Sequence, residues 1–121
     1  MSDKPDIKLG TLRKRSEFLY VREGTYAARG GVVVQCRANP EHEAIRFGVT
    51  ATKRVGNAVV RNRAKRRLRA LARELLPSLG RPGHDYVLIA RDSTATRPWD
   101  KLRNDATRAL QSQPIMGQVP G

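Results

Sequence analysis

The sequence predicts one α+β domain in which helices pack against a small sheet. Three stretches have the composition of strands: residues 32–36 are rich in β-branched side chains, residues 45–52 alternate apolar and polar positions, and residues 85–90 are almost continuously apolar. Between the last two, an apolar residue recurs every three or four positions from Val60 to Leu75, which indicates a long helix. The two strands around it are expected to lie parallel, with this helix as their connection.

The N-terminal part is expected to begin with a flexible basic arm over residues 1–11. A short amphipathic helix follows, with Ser16 as its N-cap and Gly24 ending it. The span from Tyr26 to Thr52 leaves room for one more strand than those named above.

The central helix is expected to run from about Ala58 to Leu76, because Pro77 and Gly80 follow its last apolar positions. A final helix is expected to begin near Pro98. Residues 112–121 contain two prolines and two glycines and little apolar content, so they are expected to be a disordered tail. Residues 12–111 are thereby predicted to form a single domain.

Charge is the most informative feature of the composition. The chain has 24 Lys and Arg against 11 Asp and Glu, which gives a net charge of +13 and a pI of about 11.2. Such a surface repels itself unless an anion neutralises it, and phosphate is the usual partner. A membrane surface is the alternative, but it typically recruits Lys-rich stretches with Trp or Phe on the apolar face. This chain is rich in Arg and has two Phe and one Trp.

Other classes of protein are disfavoured by what the sequence lacks. No apolar run approaches the roughly 18 residues of a membrane span, and the polar N-terminus does not resemble a signal peptide, so a cytoplasmic location is expected. The lone cysteine, Cys36, cannot form an internal disulfide and is interpreted as a small strand residue. His42 and His84 match no metal-ligand spacing, so no metal site is predicted on the protein.

The decisive segment runs from Lys53 to Arg73. It contains nine basic residues, and no acid appears until Glu74. A solvated helix usually mixes charges of both signs, because pairs four residues apart stabilise it. On the predicted helix, Asn62, Arg66, Arg69 and Arg73 face away from the apolar stripe, and further basic side chains flank them. The segment therefore predicts a wide cationic surface that binds phosphates, with helix N-terminal N–H groups adding to the attraction.

The stretch KRVGNAVVRNRAKR, residues 53–66, resembles without a gap the signature motif of the bacterial ribonuclease P protein subunit. The resemblance extends over most of the chain, from the leading helix near Phe18 to the strand that begins at Asp85. It implies a two-layer α/β sandwich with a four-stranded sheet and a left-handed βαβ crossover, similar to a ribosomal-protein second domain.

The resemblance also implies a function. The family's holoenzyme is an endoribonuclease that removes the 5′ leader from precursor tRNA. Its large RNA subunit performs the hydrolysis with Mg²⁺, which that RNA mainly binds, and the protein contributes no catalytic residue. The implied partners are this RNA and precursor tRNA, with no membrane and no obligatory protein partner. The residues implied to bind the RNA subunit are Lys53, Arg54, Asn57, Arg61, Asn62, Arg63, Lys65, Arg66, Arg67 and Arg69.

The single-stranded leader is implied to bind in a cleft between the sheet and the leading helix. By match, Phe18 is the aromatic residue that contacts it; the alternative is that Phe18 belongs to the core. The family often has further aromatics where this chain has Arg22 and Val34, and both positions are kept as leader contacts. We therefore expect the cleft to hold the leader more by charge than by stacking.

Three alternative functions would explain parts of the same sequence pattern. A ribosomal-type RNA-binding protein or an RNA chaperone would share the basic helix but need not carry the 53–66 motif. A protein-only nuclease needs clustered carboxylates for its metal ions, and the 11 acids are scattered. A helix-turn-helix DNA reader needs a second helix beside the basic one, where this sequence predicts strands.

Overall fold

The computed structural model of the chain describes residues 8–113, which form one sheet with three helices. In chain order the elements are β1 (Leu9–Thr11), α1 (Arg15–Arg22), β2 (Thr25–Arg29), β3 (Val32–Ala38), β4 (Ile45–Thr50), a 3₁₀ turn (Lys53–Val55), α2 (Ala58–Leu79), β5 (His84–Ala90) and α3 (Trp99–Gln111). The strand order across the sheet is β1-β4-β5-β3-β2.

The connection from β4 through α2 to β5 has the predicted arrangement. β4 and β5 are parallel neighbours, β3 pairs antiparallel with β5, and β2 pairs antiparallel with β3. The α+β class is confirmed, but the sheet has five strands and not four, because β1 pairs in parallel with the start of β4. The left-handedness of the crossover stays a prediction.

The N-terminal elements differ from the expectation in two ways. Residues 9–11, expected to belong to a flexible arm, form β1; residues 1–7 of that arm lie outside the described residues. Ser16 lies inside α1, and the N-cap is Lys14. The Glu17 carboxylate accepts hydrogen bonds from the backbone N–H groups of Arg13 and Lys14, both at 2.8 Å. Glu17, three residues after the N-cap, therefore stabilises the start of the helix in place of the Ser16 hydroxyl that was expected to do so.

The C-terminal boundaries also shift. α2 continues through Pro77 to Leu79, although Pro77 has no N–H to donate to the carbonyl one turn earlier. Gly80 then donates to the Leu76 carbonyl at 2.8 Å. Gln113, predicted to lie in the disordered tail, is buried. Its side chain donates to the Val34 carbonyl at 2.8 Å and accepts from Thr25 at 2.7 Å. Residues 114–121 of that tail lie outside the described residues.

The two faces of the sheet are covered unequally. α2 and α3 pack on one face over the main core, which includes Phe47, Leu68 and Leu88. α1 crosses the other face above a small cluster of Leu12, Val21 and Val87. The second face is therefore only partly covered, and its uncovered part forms the floor of a cleft beside α1.

Cys36 is a buried strand residue in the main core, as interpreted from the sequence. Burial raises the pKa of its thiol to about 11, so the thiol is protonated at neutral pH and poorly nucleophilic.

Candidate nucleic-acid interface

The junction between β4 and α2 is built by the Gly-Asn pair of the motif. Gly56 has a φ of +146°, and a Cβ there would lie 3.0 Å from the Val60 side chain, so this position favours glycine. The Asn57 side chain accepts a hydrogen bond from the Val60 N–H at 3.0 Å and caps α2. Asn57, expected to bind RNA, thus has its side-chain oxygen engaged in starting the helix.

The exposed basic surface consists of side chains on the 3₁₀ turn and the outward side of α2. Its members are Lys53, Arg54, Asn62, Arg63 and Arg66. Within residues 8–113, none of the ion pairs includes a side chain between Lys53 and Arg73. The Nε atom of Arg61, beside this surface, is buried without a hydrogen-bond acceptor. Unpaired guanidinium donors beside a helix N-terminus are suited to bind phosphate oxygens.

Arg67 has a different environment from its neighbours. Its guanidinium donates to the carbonyl oxygens of Thr94 at 2.5 Å and Arg97 at 2.6 Å, and it lies 5.5 Å from the centre of the Trp99 ring. Burial, followed by the charge of Arg63, lowers its pKa from the ordinary value. These donors hold the β5–α3 connection against α2, and the expectation that Arg67 also binds RNA stays a prediction.

A second side of α2 meets α1 in a pocket at the edge of the sheet. The pocket has a volume of about 180 Å³ and includes Arg13, Phe18, Gly48, Arg69 and Arg73 in its lining. Arg69, expected to face away from the core together with Arg66, is half-buried at this pocket. Lys65 is also half-buried, one helical turn before Arg69, so a cationic stripe leads from the exposed basic surface to Phe18.

Phe18 lies between the core and this pocket. It packs against the cluster of Leu12, Val21 and Val87 and is half-buried. A Cβ at Gly48 would lie 2.4 Å from its ring, so the missing side chain allows the ring to approach β4 closely. Phe18 thus packs against the small cluster and also lines the pocket, and its contact with the leader stays a prediction. Arg22, one turn later, is exposed.

Val34 does not lie in the cleft. Its side chain is fully buried in the core under α3, because alternate residues of a strand point to opposite faces. Its neighbours Val33 and Gln35 face the α1 side and are half-buried. The prediction of Val34 as a leader contact was wrong, and the cleft-facing positions on β3 are Val33 and Gln35 on either side of it.

The cleft face also carries an aromatic residue that the sequence reasoning missed. Tyr26, on the edge strand β2, lies opposite Gln35 in the antiparallel pair and is 71% exposed. Residues directly opposite in an antiparallel pair project from the same face. The sequence carries no usable signal for it, because Tyr26-Ala27-Ala28 has no apolar–polar alternation; only the structure shows Ala27 buried between two exposed residues.

A buried polar network fixes α1 against the sheet, and it was also missed. Arg46 on β4 donates to the Asp85 carboxylate through Nε and Nη2, both at 2.9 Å, and to Glu17 of α1 at 3.1 Å. Asn39 and His42 bond the same carboxylate at 2.9 and 2.8 Å. Burial alone would raise the pKa of Asp85, but these three partners hold it below its usual range. Backbone hydrogen bonds from Lys14 and Arg13 likewise lower the pKa of Glu17.

Two further findings concern the described part of the chain. Between residues 8 and 113, no three His, Cys, Asp or Glu side chains are grouped so that they could hold a metal ion. No helix there is both long and apolar enough to span a membrane.

Comparison with known proteins agrees with this geometry. The profile of the family described as Ribonuclease P matches residues 8–113. This chain belongs to the ribonuclease P protein family. It is 54% identical over 106 residues to the ribonuclease P protein component of Ruegeria pomeroyi, covering 85% of each chain. It is 47% identical over 114 residues to that of Caulobacter vibrioides, covering 93% of this chain and 76% of the relative.

Solved structures of ribonuclease P proteins share the fold. The Staphylococcus aureus protein superposes with a TM-score of 0.72 at 27% identity, covering 86% of this chain and 94% of that one. The Thermotoga maritima protein gives a TM-score of 0.71 at 26% identity, covering 84% of this chain and 94% of that one. The family resemblance stated from residues 53–66 is thereby confirmed.

The unpaired cations on the exposed basic surface predict that anions stabilise the fold. Sulfate at the start of α2 should relieve repulsion among Arg61, Arg63 and Arg66 and bind the native state preferentially. Thermal unfolding in sodium sulfate and in sodium chloride at matched ionic strength should give a higher midpoint in sulfate. Equal midpoints would mean that the repulsion is relieved by ordinary screening alone.

Proposed function

We propose that this chain is the protein component of a ribonuclease P holoenzyme that removes the 5′ leader of precursor tRNA in the cytoplasm. In this proposal the exposed basic surface binds the large RNA subunit, and the cleft beside α1 binds the leader. The observation that carries it is the cationic stripe through Lys65 and Arg69, which joins the exposed basic surface to the pocket that contains Phe18.

The exposed basic surface is suited to a structured RNA. Arg63 and Arg66 are free of internal ion pairs within residues 8–113, and Asn62 adds a donor and an acceptor beside them. Arginine's planar fork can bind a phosphate or a base edge through two hydrogen bonds at once. Arg67 contributes indirectly, since it fixes the β5–α3 connection next to this surface.

The cleft is suited to a single strand. Phe18 supplies a partly exposed ring, and Arg13, Arg69 and Arg73 line the same pocket. Single-stranded nucleic acids are commonly bound by aromatic stacking beside a cationic groove, since every base has a face that can stack. Arg22, exposed one turn after Phe18, extends the positive charge along α1.

The chemical step is assigned to the RNA subunit and its Mg²⁺. The described residues offer this ion no grouped carboxylates, so they do not fit a protein-bound Mg²⁺ site. The chain's own contribution is to bind and orient the two RNAs. Neutralising phosphate charge with protein cations reduces the repulsion that Mg²⁺ would otherwise have to screen.

The test is leader removal at low Mg²⁺. Bacterial ribonuclease P RNA should cleave precursor tRNA poorly at a Mg²⁺ concentration too low to screen the phosphate repulsion by itself, and addition of this protein should restore cleavage at the correct 5′ position. Protein alone, freed of RNA, should give no cleavage. Correct cleavage by the protein alone would contradict the assignment of the chemistry. Tight binding to RNA without any rescue would favour the alternative of a ribosomal-type RNA-binding protein or RNA chaperone.

A further inference from the structure

We propose that Tyr26 is a second base-stacking position for the leader, at the β2 end of the cleft. The inference rests on the proposed function and adds a path: the leader crosses the sheet from Phe18 on one side to Tyr26 on the other. The Tyr26 ring lies on the same face of the sheet as Phe18, and it is the most exposed aromatic on that face among residues 8–113.

The strand register places the two rings at opposite ends of one row. Gly48, which the Phe18 ring covers, is in register with Val87 on β5; Val87 is in register with Gln35 on β3, and Gln35 with Tyr26 on β2. The row spans three strand spacings, or about 14 Å at roughly 4.8 Å each. Tyr26 is therefore far enough from Phe18 to contact a different nucleotide.

The sheet surface beside this row is suited to a single strand of nucleic acid. The adjacent row contains Thr50, Ile89, Val33 and Ala28, none of which carries a charge, and all four are at least partly exposed. α1, which crosses this face of the sheet, ends at the exposed Arg22, and the buried acid Asp85 is neutralised by Arg46. An uncharged surface accommodates bases, and cations on the flanking helices attract the phosphates.

The direction of the path follows from the position of α2. Its residues Arg69 and Arg73 line the Phe18 end of the cleft, and the same helix carries the exposed basic surface proposed to bind the catalytic RNA. Phe18 is thus assigned to leader nucleotides near the cleavage position, and Tyr26 to nucleotides farther upstream. The two residues should therefore differ in the leader length at which each begins to contribute to substrate affinity.

The experiment measures the affinity of the assembled holoenzyme for precursor tRNAs whose leaders lengthen one nucleotide at a time. Tyr26→Ala should weaken binding of long-leader substrates roughly five- to a hundredfold, as expected for loss of one stacked base. The weakening should begin at a longer leader than the weakening caused by Phe18→Ala. Tyr26→Phe should bind as wild type, and Leu19→Ala, which removes an exposed apolar side chain from α1, serves as the control.

The outcomes separate the inference from the function on which it rests. If Phe18→Ala shows a leader-dependent decrease in affinity and Tyr26→Ala does not, the Tyr26 position is wrong while the cleft stands. If neither variant shows one, the leader cleft itself is wrong. If Tyr26→Ala changes self-association of the protein and leaves leader affinity unchanged, the exposed ring serves an interface between copies, and the inference is overturned.

Discussion

Replacing Asp85 with alanine is expected to lower the free energy of unfolding by about 3 kcal/mol, the low end of what breaking a buried ion pair costs. The carboxylate is buried and accepts hydrogen bonds from Arg46, Asn39 and His42. Its removal leaves these donors without their shared acceptor. Arg46 retains Glu17 and some access to water, which keeps the destabilisation from being larger. A domain of this size typically has a stability of only about 5–15 kcal/mol.

The effect should depend on pH in a defined direction. The pKa of Asp85 is lower in the folded protein than in the unfolded chain, so the folded state binds fewer protons. Its stabilising contribution is therefore complete above the unfolded pKa near 3.9 and is lost as pH falls through the folded value. The difference in stability between wild type and Asp85→Ala should shrink on acidification below about pH 4.

Chemical denaturation at pH 7 and at several acidic pH values measures this difference. Asp92→Ala is the matched control, since it removes the same charge from an exposed position. A variant that is as stable as the control at pH 7 would show that the network contributes nothing to the fold. Because Glu17 connects the network to α1, a folded Asp85→Ala protein should also bind long leaders less tightly in the holoenzyme.

The second large effect is expected from paired substitution of Arg63 and Arg66 by alanine. Each substitution removes a charge-assisted hydrogen bond of about 1.5–3 kcal/mol, so affinity for the large RNA subunit should fall by roughly a hundredfold or more. The slope of log affinity against log salt should become shallower by about 1 for each phosphate that the protein no longer neutralises. Stability should be unchanged or increased, since neither side chain forms an ion pair within residues 8–113.

Arg67→Ala should behave in the opposite way. Its guanidinium binds the carbonyl oxygens of Thr94 and Arg97, so the variant should melt at a lower temperature and bind RNA nearly normally once folded. Filter binding at several salt concentrations and thermal unfolding measure the two properties. Arg108→Ala, an exposed arginine on α3, controls for net charge. An unchanged melting temperature together with weak RNA binding would show instead that Arg67 binds RNA directly, as the family resemblance implies.

The elements that could be predicted were those with a repeated local pattern. The apolar stripe of α2 and the alternation of β4 each determine which face is buried, so their type and approximate bounds followed from sequence. β1 was missed because three residues give too short a pattern, and its partner strand begins far along the chain at Ile45. Val34 was predicted as a leader contact by match to the family, and the uniformly apolar run Val32-Val33-Val34 has no alternation that could have shown its side chain to face the core.

The site was predictable to the level of the segment but not of each side chain. Closely spaced basic residues along a helix predict a cationic surface, and the matched motif indicates RNA. They cannot distinguish Arg63, which faces solvent, from Arg67, whose acceptors come from a loop beyond the next strand. The Arg46–Asp85–Glu17 network joins three distant elements, so no local pattern reveals it.

The position of β5 has a consequence for synthesis of the chain. β5 is the last strand of the described sheet to be made, yet it lies between β4 and β3, which do not pair with each other. Until residue 90 leaves the ribosome, the nascent chain can form only the separate pairs β1–β4 and β2–β3. The basic helix α2 emerges before β5 and α3, so its cations can meet RNA while its apolar face still lacks these two packing partners. Acquisition of the native fold is thus a late, cooperative event that depends on contacts distant in sequence.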